Sequence, residues 1–166
     1  MKEKTYQKIT GYIKQRKWLE GIVNVADVGL AVIIYFMFLI LLVTLFLQHK
    51  NMELLRVVLV CGISFVLVSV FRHFYNADRP YTKYDFTPVV KKDTPGRSMP
   101  SRHIFSVFVI GMAFTWLDWK FGVFIFVIAF LMAVERVIAG VHFVRDVLVG
   151  AVVGIAAGVI GFYLIP

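Results

Sequence analysis

The sequence contains one cysteine, Cys61, in 166 residues. A single cysteine excludes a disulfide within the chain and offers no cysteine-based metal site. Acidic residues are also scarce, with 10 Asp and Glu against 18 Lys and Arg. Charge of either sign is missing from two long stretches, residues 28–48 and 147–166. A basic excess can indicate nucleic acid binding. We expect no nucleic acid partner, because most of such an apolar chain would lie in lipid.

The apolar stretches predict an integral membrane protein. The chain is 60% hydrophobic with a mean hydropathy of +0.80, too apolar for an ordinary soluble domain. Both uncharged stretches are long enough to cross a bilayer core of roughly 30 Å as helices. We predict an all-α fold, with residues 1–166 forming a single domain built as a polytopic transmembrane helix bundle. About five spanning helices are expected, near residues 24–48, 53–74, 103–117, 121–137 and 142–166.

Glycines in the last of these spans follow a regular pattern. Gly150, Gly154 and Gly158 recur at every fourth position. Small residues at this spacing form a smooth stripe that lets two helix backbones approach closely. The last span is therefore expected to pack tightly against another helix.

Residues 1–22 predict an amphipathic helix on the membrane surface. Tyr6, Ile9 and Ile13, with Trp18 at the edge, share one helical face, and lysines surround the rest. A solvated basic tail is the alternative. The first 20 residues carry six basic and two acidic residues and no small-residue cleavage pattern, so a cleavable signal peptide is not expected. Asp27, at the start of the first span, is expected to cap or pair locally.

The longest polar interruption, residues 75–102, predicts an active-site loop. It contains four of the five prolines and many charges, which exclude a regular spanning helix. Long loops on rigid scaffolds often carry functional residues. With five spans, this loop and the link at residues 136–146 emerge on the same side of the membrane.

Three polar clusters fall on that side, at residues 72–80, 100–103 and 136–146. They contain five arginines in all. Arginine forks match phosphate oxygens, and so many arginines at the ends of apolar helices are costly without an anionic partner. His103 is also expected to open a helix, whose positive end favours an anion. The clusters predict a phosphate-binding site at the membrane boundary.

The histidines in these clusters suggest phosphoryl transfer. Asp146 follows His142 by about one helical turn, so its carboxylate can hold one imidazole nitrogen and leave the other free to attack phosphorus. His103 can protonate the leaving oxygen and then activate water. Arginines and backbone amides would stabilise the transferring phosphoryl group. This scheme needs no metal and no cofactor.

At these clusters the sequence resembles the type 2 phosphatidic acid phosphatase family, whose pattern is Lys-x6-Arg-Pro, then Pro-Ser-Gly-His, then Ser-Arg-x5-His-x3-Asp. The corresponding parts here are Arg72-x6-Arg79-Pro80, Pro100-Ser101-Arg102-His103 and Glu135-Arg136-x5-His142-x3-Asp146. Order and internal spacing agree in all three parts. The resemblance covers about residues 53–166.

The resemblance implies a role for each matched residue. It makes His142 the nucleophile, Asp146 its partner and His103 the acid/base. Phosphate binding falls to the matched basic residues and the serine, namely Arg72, Arg79, Ser101 and Arg136.

Three residues depart from the family pattern. Arg72 stands in place of lysine, Arg102 in place of glycine and Glu135 in place of serine. Arg102 adds charge beside the acid/base, so we include it among the expected phosphate-binding residues. Glu135 is expected to pair with an arginine.

We therefore predict an integral membrane lipid phosphatase that removes the terminal phosphate of a lipid phosphate or diphosphate through a phosphohistidine. Undecaprenyl diphosphate is the first candidate substrate, because Arg102 and Arg145 add charge that a second phosphate could use. Phosphatidylglycerophosphate or phosphatidate is the second. A lipid phosphotransferase using the same site is one alternative, and a non-catalytic lipid-binding or transport protein is another. The sequence leaves the oligomeric state open.

Two arguments about the orientation in the cell membrane disagree. Fifteen of the 18 basic residues lie on the side of the predicted site. The positive-inside rule then favours a cytoplasmic site. Resemblance to the bacterial lipid phosphatases favours an extracytoplasmic site, and this is the orientation that we predict.

Overall fold

The computed structural model describes residues 1–91 and 94–165. All regular structure in this part of the chain is helical, which confirms the predicted all-α fold. The helices are α1 (Glu3–Lys14), α2 (Lys17–Leu47), α3 (Asn51–Tyr75), α4 (Pro80–Lys83), α5 (Arg102–Leu117), α6 (Trp119–Ile138) and α7 (Val144–Gly158). A π-helical turn, Val159–Leu164, continues α7.

The long helices form a bundle around α5. Among the described residues, four helical segments are long and apolar enough to cross a membrane, and they contain α2, α3, α6 and α7. The remaining predicted span, residues 103–117, corresponds to α5, which has 16 residues and is buried over nearly all of residues 104–114. It packs chiefly against α6 and α7. Of the longer helices, α3 packs against α5 and α2, and α2 packs chiefly against α6, so each has a partner within the bundle.

The glycine stripe of α7 lies directly against α5. A Cβ atom at Gly150 would lie 2.8 Å from the carbonyl oxygen of Ser101, and one at Gly154 would lie 2.7 Å from that of Phe105. A Cβ atom at Gly158 would overlap the Met112 side chain. The predicted close packing is therefore present, and it holds the start of α5 against the second and third turns of α7.

The N-terminal segment differs from the predicted surface helix. Tyr6, Thr10 and Ile13 of α1 are buried against the protein, whereas Trp18 belongs to α2 and is exposed. The helix breaks at Arg16, whose backbone is extended, so α2 begins at Lys17 and not near residue 24. The apolar face of α1 packs against aromatic side chains of the protein, including Phe86. This face of α1 is therefore buried against protein side chains.

Two turns bring the polar clusters to one end of the bundle. Asn76 ends α3 in the left-handed region, with φ of 39°, where asparagine is tolerated better than most residues. The chain then folds back on itself, so that the Ser98 amide donates to the carbonyl of Ala77 at 2.8 Å. Gly140, with φ of 77°, turns the chain between α6 and α7. The loop and the link therefore meet above the first turn of α5.

Substituting glycine by alanine at two positions tests the contact between α5 and α7. Gly154→Ala is expected to destabilise the protein by about 1–3 kcal/mol, because the new methyl group is forced into the α5 backbone. Gly29→Ala is the matched control, since no atom lies within 4 Å of its Cβ position in α2. That variant is expected to be neutral or slightly stabilising. Thermal melting in detergent measures both, and equal midpoints would contradict the prediction.

Candidate active site

A polar cavity of about 160 Å³ lies where the polar clusters meet. Six of the eight predicted site residues are among the described residues that line it. The described lining consists of Arg72, Arg79, Thr94, Arg102, His103, Arg136, Val141 and His142. The other two predicted residues, Asp146 and Ser101, lie behind this lining and are buried. Residues from α3, α5, α6, the loop between α3 and α5 and the link between α6 and α7 therefore converge on one small space.

Arg72 and Arg79 are held in place by backbone carbonyls. Arg72 extends from the last turn of α3, and its Nη1 donates to the carbonyls of Ser98, at 3.3 Å, and Pro100. Arg79 donates from Nε to the Gly96 carbonyl at 3.2 Å and from Nη1 to the Val141 carbonyl at 3.3 Å. Both guanidinium groups are buried and keep their positive charge, because a carbonyl dipole does not neutralise it. They line one side of the cavity with fixed positive charge, and the hydrogen bonds of Arg79 also connect the loop to the link.

Arg136 is held by carboxylates. Its side chain, 1% exposed, donates from Nη1 to the carboxylate of Asp27 and from Nη2 to the Asp27 carbonyl at 3.0 Å. Its Nε lies 3.3 Å from the Glu135 carboxylate. Glu135 thus pairs with an arginine, as expected. The interpretation of Asp27 as a local cap was wrong, because its partner is 109 residues away. Removing one partner of such a buried pair typically costs about 3–5 kcal/mol.

His142 lies in the link between α6 and α7, next to two buried polar residues. Its Nδ1 is 3.7 Å from Oδ2 of Asp146, which is too long for a direct hydrogen bond. The hydroxyl of Ser98 lies between them, 2.5 Å from Asp146 Oδ2 and 3.3 Å from His142 Nδ1. The Ser98 hydroxyl donates a hydrogen bond to the carboxylate and can accept one from the N–H at Nδ1 of His142. The predicted pairing of Asp146 with His142 is therefore bridged by a hydroxyl, and Nε2 is the ring nitrogen left for chemistry.

The environment keeps His142 uncharged at neutral pH. Burial lowers the pKa of its imidazole to about 4, and the charges of Arg79 and Arg72 add to that effect, while Asp146 opposes it. Because only the neutral ring has a lone pair for attack, the nucleophilic form predominates at all but acidic pH. The same arginines that attract an anion also keep the imidazole unprotonated.

The first turn of α5 brings Arg102 and His103 to the cavity. Arg102 is exposed at its mouth, with the guanidinium 5.6 Å from the centre of the Phe65 ring. Ser101 precedes the helix, and its amide donates to the Asp146 carbonyl at 2.9 Å. The Ser101 hydroxyl is buried and has no hydrogen-bond partner within the described residues. It is not among the described residues of the cavity lining, so its contact with phosphate stays a prediction.

Arg145 lies outside the cavity lining given above. It is 61% exposed, with Nε 3.6 Å from Asp146 Oδ1 and the guanidinium 5.1 Å from the centre of the Phe143 ring. It borders a separate cavity with Lys83 and Tyr84. Of the two arginines expected to serve a second phosphate, the structure therefore places only Arg102 at the main cavity.

The family-model comparison agrees with this geometry. A family model described as the PAP2 superfamily matches residues 53–166. The chain belongs to the PAP2 superfamily. It therefore has the fold of phosphatases that hydrolyse phosphate esters, and the family recognised from the three clusters is confirmed. Among curated proteins, no sequence match reaches significance.

Two solved PAP2 structures resemble the whole chain. One is LpxE of Aquifex aeolicus, with 27% identity and a TM-score of 0.73, which covers 95% of this chain and 92% of LpxE. The other is a transmembrane PAP2-type phosphatidylglycerolphosphate phosphatase of Bacillus subtilis. It has 25% identity and a TM-score of 0.69, and the match covers 93% of this chain and 81% of that enzyme. The multi-pass bundle is thus shared with membrane phosphatases.

Two residues near this site, Ser98 and Asp27, were not predicted from the sequence to contribute to it. Ser98 lies within the predicted loop, three positions before Ser101, but no spacing rule distinguishes it from other loop serines. Asp27 carried one usable signal, an acid within an apolar helix, which is costly unless it is paired. Its partner could not be identified from the sequence alone.

Replacing Ser98 by alanine tests the bridging hydroxyl. Ser98→Ala is expected to lower kcat by about ten- to hundredfold, because the imidazole loses its connection to Asp146 and its fixed position. Phosphate release from a lipid phosphate substrate measures the effect. Ser64→Ala is the matched control, since Ser64 bonds only within α3, to the carbonyls of Val60 and Cys61. Equal kcat values for the two variants would contradict the bridging role.

Proposed function

We propose that this protein is a lipid phosphatase that removes the terminal phosphate of a membrane lipid through a phosphohistidine at His142. The observation that carries the proposal is the single cavity in which two histidines and four arginines meet. That cavity lies at the common end of helices long enough to span a membrane. A cavity at this position would be reached by a phosphate that is attached to a lipid and lies at the surface of the bilayer.

Binding comes first in the proposed reaction. Arg72 and Arg79 contribute buried positive charge that no carboxylate in the described contacts of their guanidinium groups offsets. The charge of Arg136 is largely offset by Asp27 and Glu135, so this residue supplies oriented N–H groups more than net charge. Arginine forks in a small, poorly solvated cavity stabilise the equatorial oxygens of a transferring phosphoryl group.

Two displacements follow. His142 Nε2 attacks phosphorus, a P–N bond forms, and the P–O bond to the lipid breaks while His103 gives its proton to the leaving oxygen. His103 then takes a proton from water, and the hydroxide attacks the phosphohistidine. The P–N bond breaks, inorganic phosphate leaves and neutral His142 returns. Through Ser98, Asp146 stabilises the positive charge that forms on the ring.

Undecaprenyl diphosphate is the first proposed substrate, and phosphatidylglycerophosphate is the second. Arg102 at the cavity mouth supports the first, because its guanidinium can meet a second phosphate. Similarity to the Bacillus subtilis enzyme, a phosphatidylglycerolphosphate phosphatase by name, supports the second. Arg102→Gly is informative here, since it should weaken use of the diphosphate more than use of the monophosphate.

Terminally labelled lipid phosphates test the function. The wild-type protein is expected to release label as inorganic phosphate and to do so in the presence of a chelator. His142→Ala is expected to release none, and His103→Ala to slow the reaction strongly, by about 100- to 10,000-fold. Label that appears in a second lipid would show a phosphotransferase instead. Binding without any turnover would indicate a lipid-binding protein, and steady release by His142→Ala would refute the phosphohistidine.

We place the site on the extracytoplasmic face of the cell membrane, which resemblance to the bacterial lipid phosphatases supports. The exposed Thr87, in the loop near the site, is suited to a labelling test. In a Cys61→Ala background, Thr87→Cys should react with an impermeant thiol reagent in intact cells. Labelling only after permeabilisation would place the site inside, as the distribution of basic residues favours.

A further inference from the structure

The N-terminal helix α1 lies outside the part of the chain that the family model matches. It nevertheless covers the link that carries His142. The ring of Tyr6, fully buried, stacks on Phe86 with centroids 5.3 Å apart and meets Phe143 edge-on at 6.0 Å. Thr10, one turn further along α1, approaches the Cβ position of Gly140 to 3.2 Å. The buried face of α1 thus spans both ends of the link.

One polar contact joins α1 to the backbone of the proposed nucleophile. The Tyr6 hydroxyl donates to the carbonyl oxygen of His142 at 3.2 Å, in a buried setting and across 136 residues of sequence. Burial, followed by the nearby charge of Asp146, raises the pKa of Tyr6 to about 12. The hydroxyl therefore remains a donor at every pH at which the protein would work.

The link has little regular structure of its own to hold it. His142 and Val141 each donate from the amide to the Arg136 carbonyl, both at a long 3.3 Å. The Val141 carbonyl accepts from Arg79. Within the described contacts, Tyr6 is the side chain that satisfies the carbonyl of His142 itself. A buried carbonyl left without a donor is costly, so the link would shift to find another partner.

We propose that Tyr6 is a positioning residue for His142: its hydroxyl fixes the peptide group that carries the imidazole. This proposal rests on the proposed function, in which His142 attacks phosphorus. The arginines proposed to bind phosphate reside on α3, α5, α6 and the loop, and none of them bonds to Tyr6 in the described contacts. Loss of the hydroxyl should therefore disturb the attack geometry while leaving phosphate binding intact.

The test compares Tyr6→Phe with Tyr12→Phe in the full-length protein in detergent. Tyr12 lies on the same helix and is exposed, so the second variant makes the same chemical change away from the link. Tyr6→Phe keeps the ring and its stacking and removes only the donor. Its expected kcat is about tenfold lower with KM within about twofold, as a small misplacement of a reacting group predicts. Tyr12→Phe should match the wild type.

A second measurement does not require turnover. Histidine resonances are followed by NMR through pH 5 to 8, the range in which ordinary imidazoles titrate. Signals are attributed to His142 by their loss in a His142→Gln variant. With a pKa of about 4, wild-type His142 should not titrate in this range. In Tyr6→Phe the link is expected to loosen and to admit water to the ring, so the midpoint of His142 should move up into this range.

These two measurements separate the proposal from the proposed function. A wild type inactive on every lipid phosphate would refute the function, and the titration would still decide the role of Tyr6. Lower kcat together with the shifted titration supports positioning. Wild-type kcat, a rise in KM alone, or a titration unchanged from the wild type overturns it, even if Tyr6→Phe melts at a lower temperature.

Discussion

The burial of positive charge at one end of the bundle constrains the rest of this structure. Taking a guanidinium group out of water costs several kcal/mol after relaxation, unless hydrogen bonds and opposite charge compensate. The protein compensates in two ways. Arg136 is paired with two carboxylates, whereas Arg72 and Arg79 donate hydrogen bonds to backbone carbonyls. The first way removes net charge from the site and the second preserves it. The cavity therefore keeps a positive charge that an incoming phosphate can neutralise.

The same burial determines the protonation state of the proposed nucleophile, His142. A histidine beside an aspartate would ordinarily gain a proton more easily, yet the pKa of His142 falls to about 4 because desolvation and two arginines oppose protonation. A hydroxyl between the ring and the carboxylate suits this balance. Ser98 links Asp146 to Nδ1 of His142 by hydrogen bonds, so the carboxylate acts on the ring without direct contact between its charge and the imidazole. In the proposed reaction the ring is therefore neutral before attack, and Asp146 can stabilise it through Ser98 when it becomes positive.

How far the sequence predicts this molecule depends on the range of the contacts. Hydropathy predicted the long helices because each satisfies its own backbone and meets an apolar environment. Six residues of the cavity lining could be predicted because three motifs match in order and in spacing, whereas a single histidine or arginine at a helix end would not be distinctive. Contacts across 109 and 136 residues, from Asp27 and Tyr6, have no spacing pattern to reveal them. The break at Arg16 was missed for a related reason, because tertiary contacts of α1 decide where that helix ends.

The electrostatics of α5 support the proposal that the cavity binds an anion, over the alternative of a purely structural cluster of arginines. Its first turn contains Arg102 and His103 and no acidic residue. A positive side chain at a helix N-terminus, here that of Arg102, opposes the helix dipole at a cost of about 0.3–1 kcal/mol. A structural role would favour an acid or a neutral cap there, as Asp118 provides at the start of α6. At Arg102 the cost is offset when an anion occupies the cavity, because dipole, arginines and anion then attract one another.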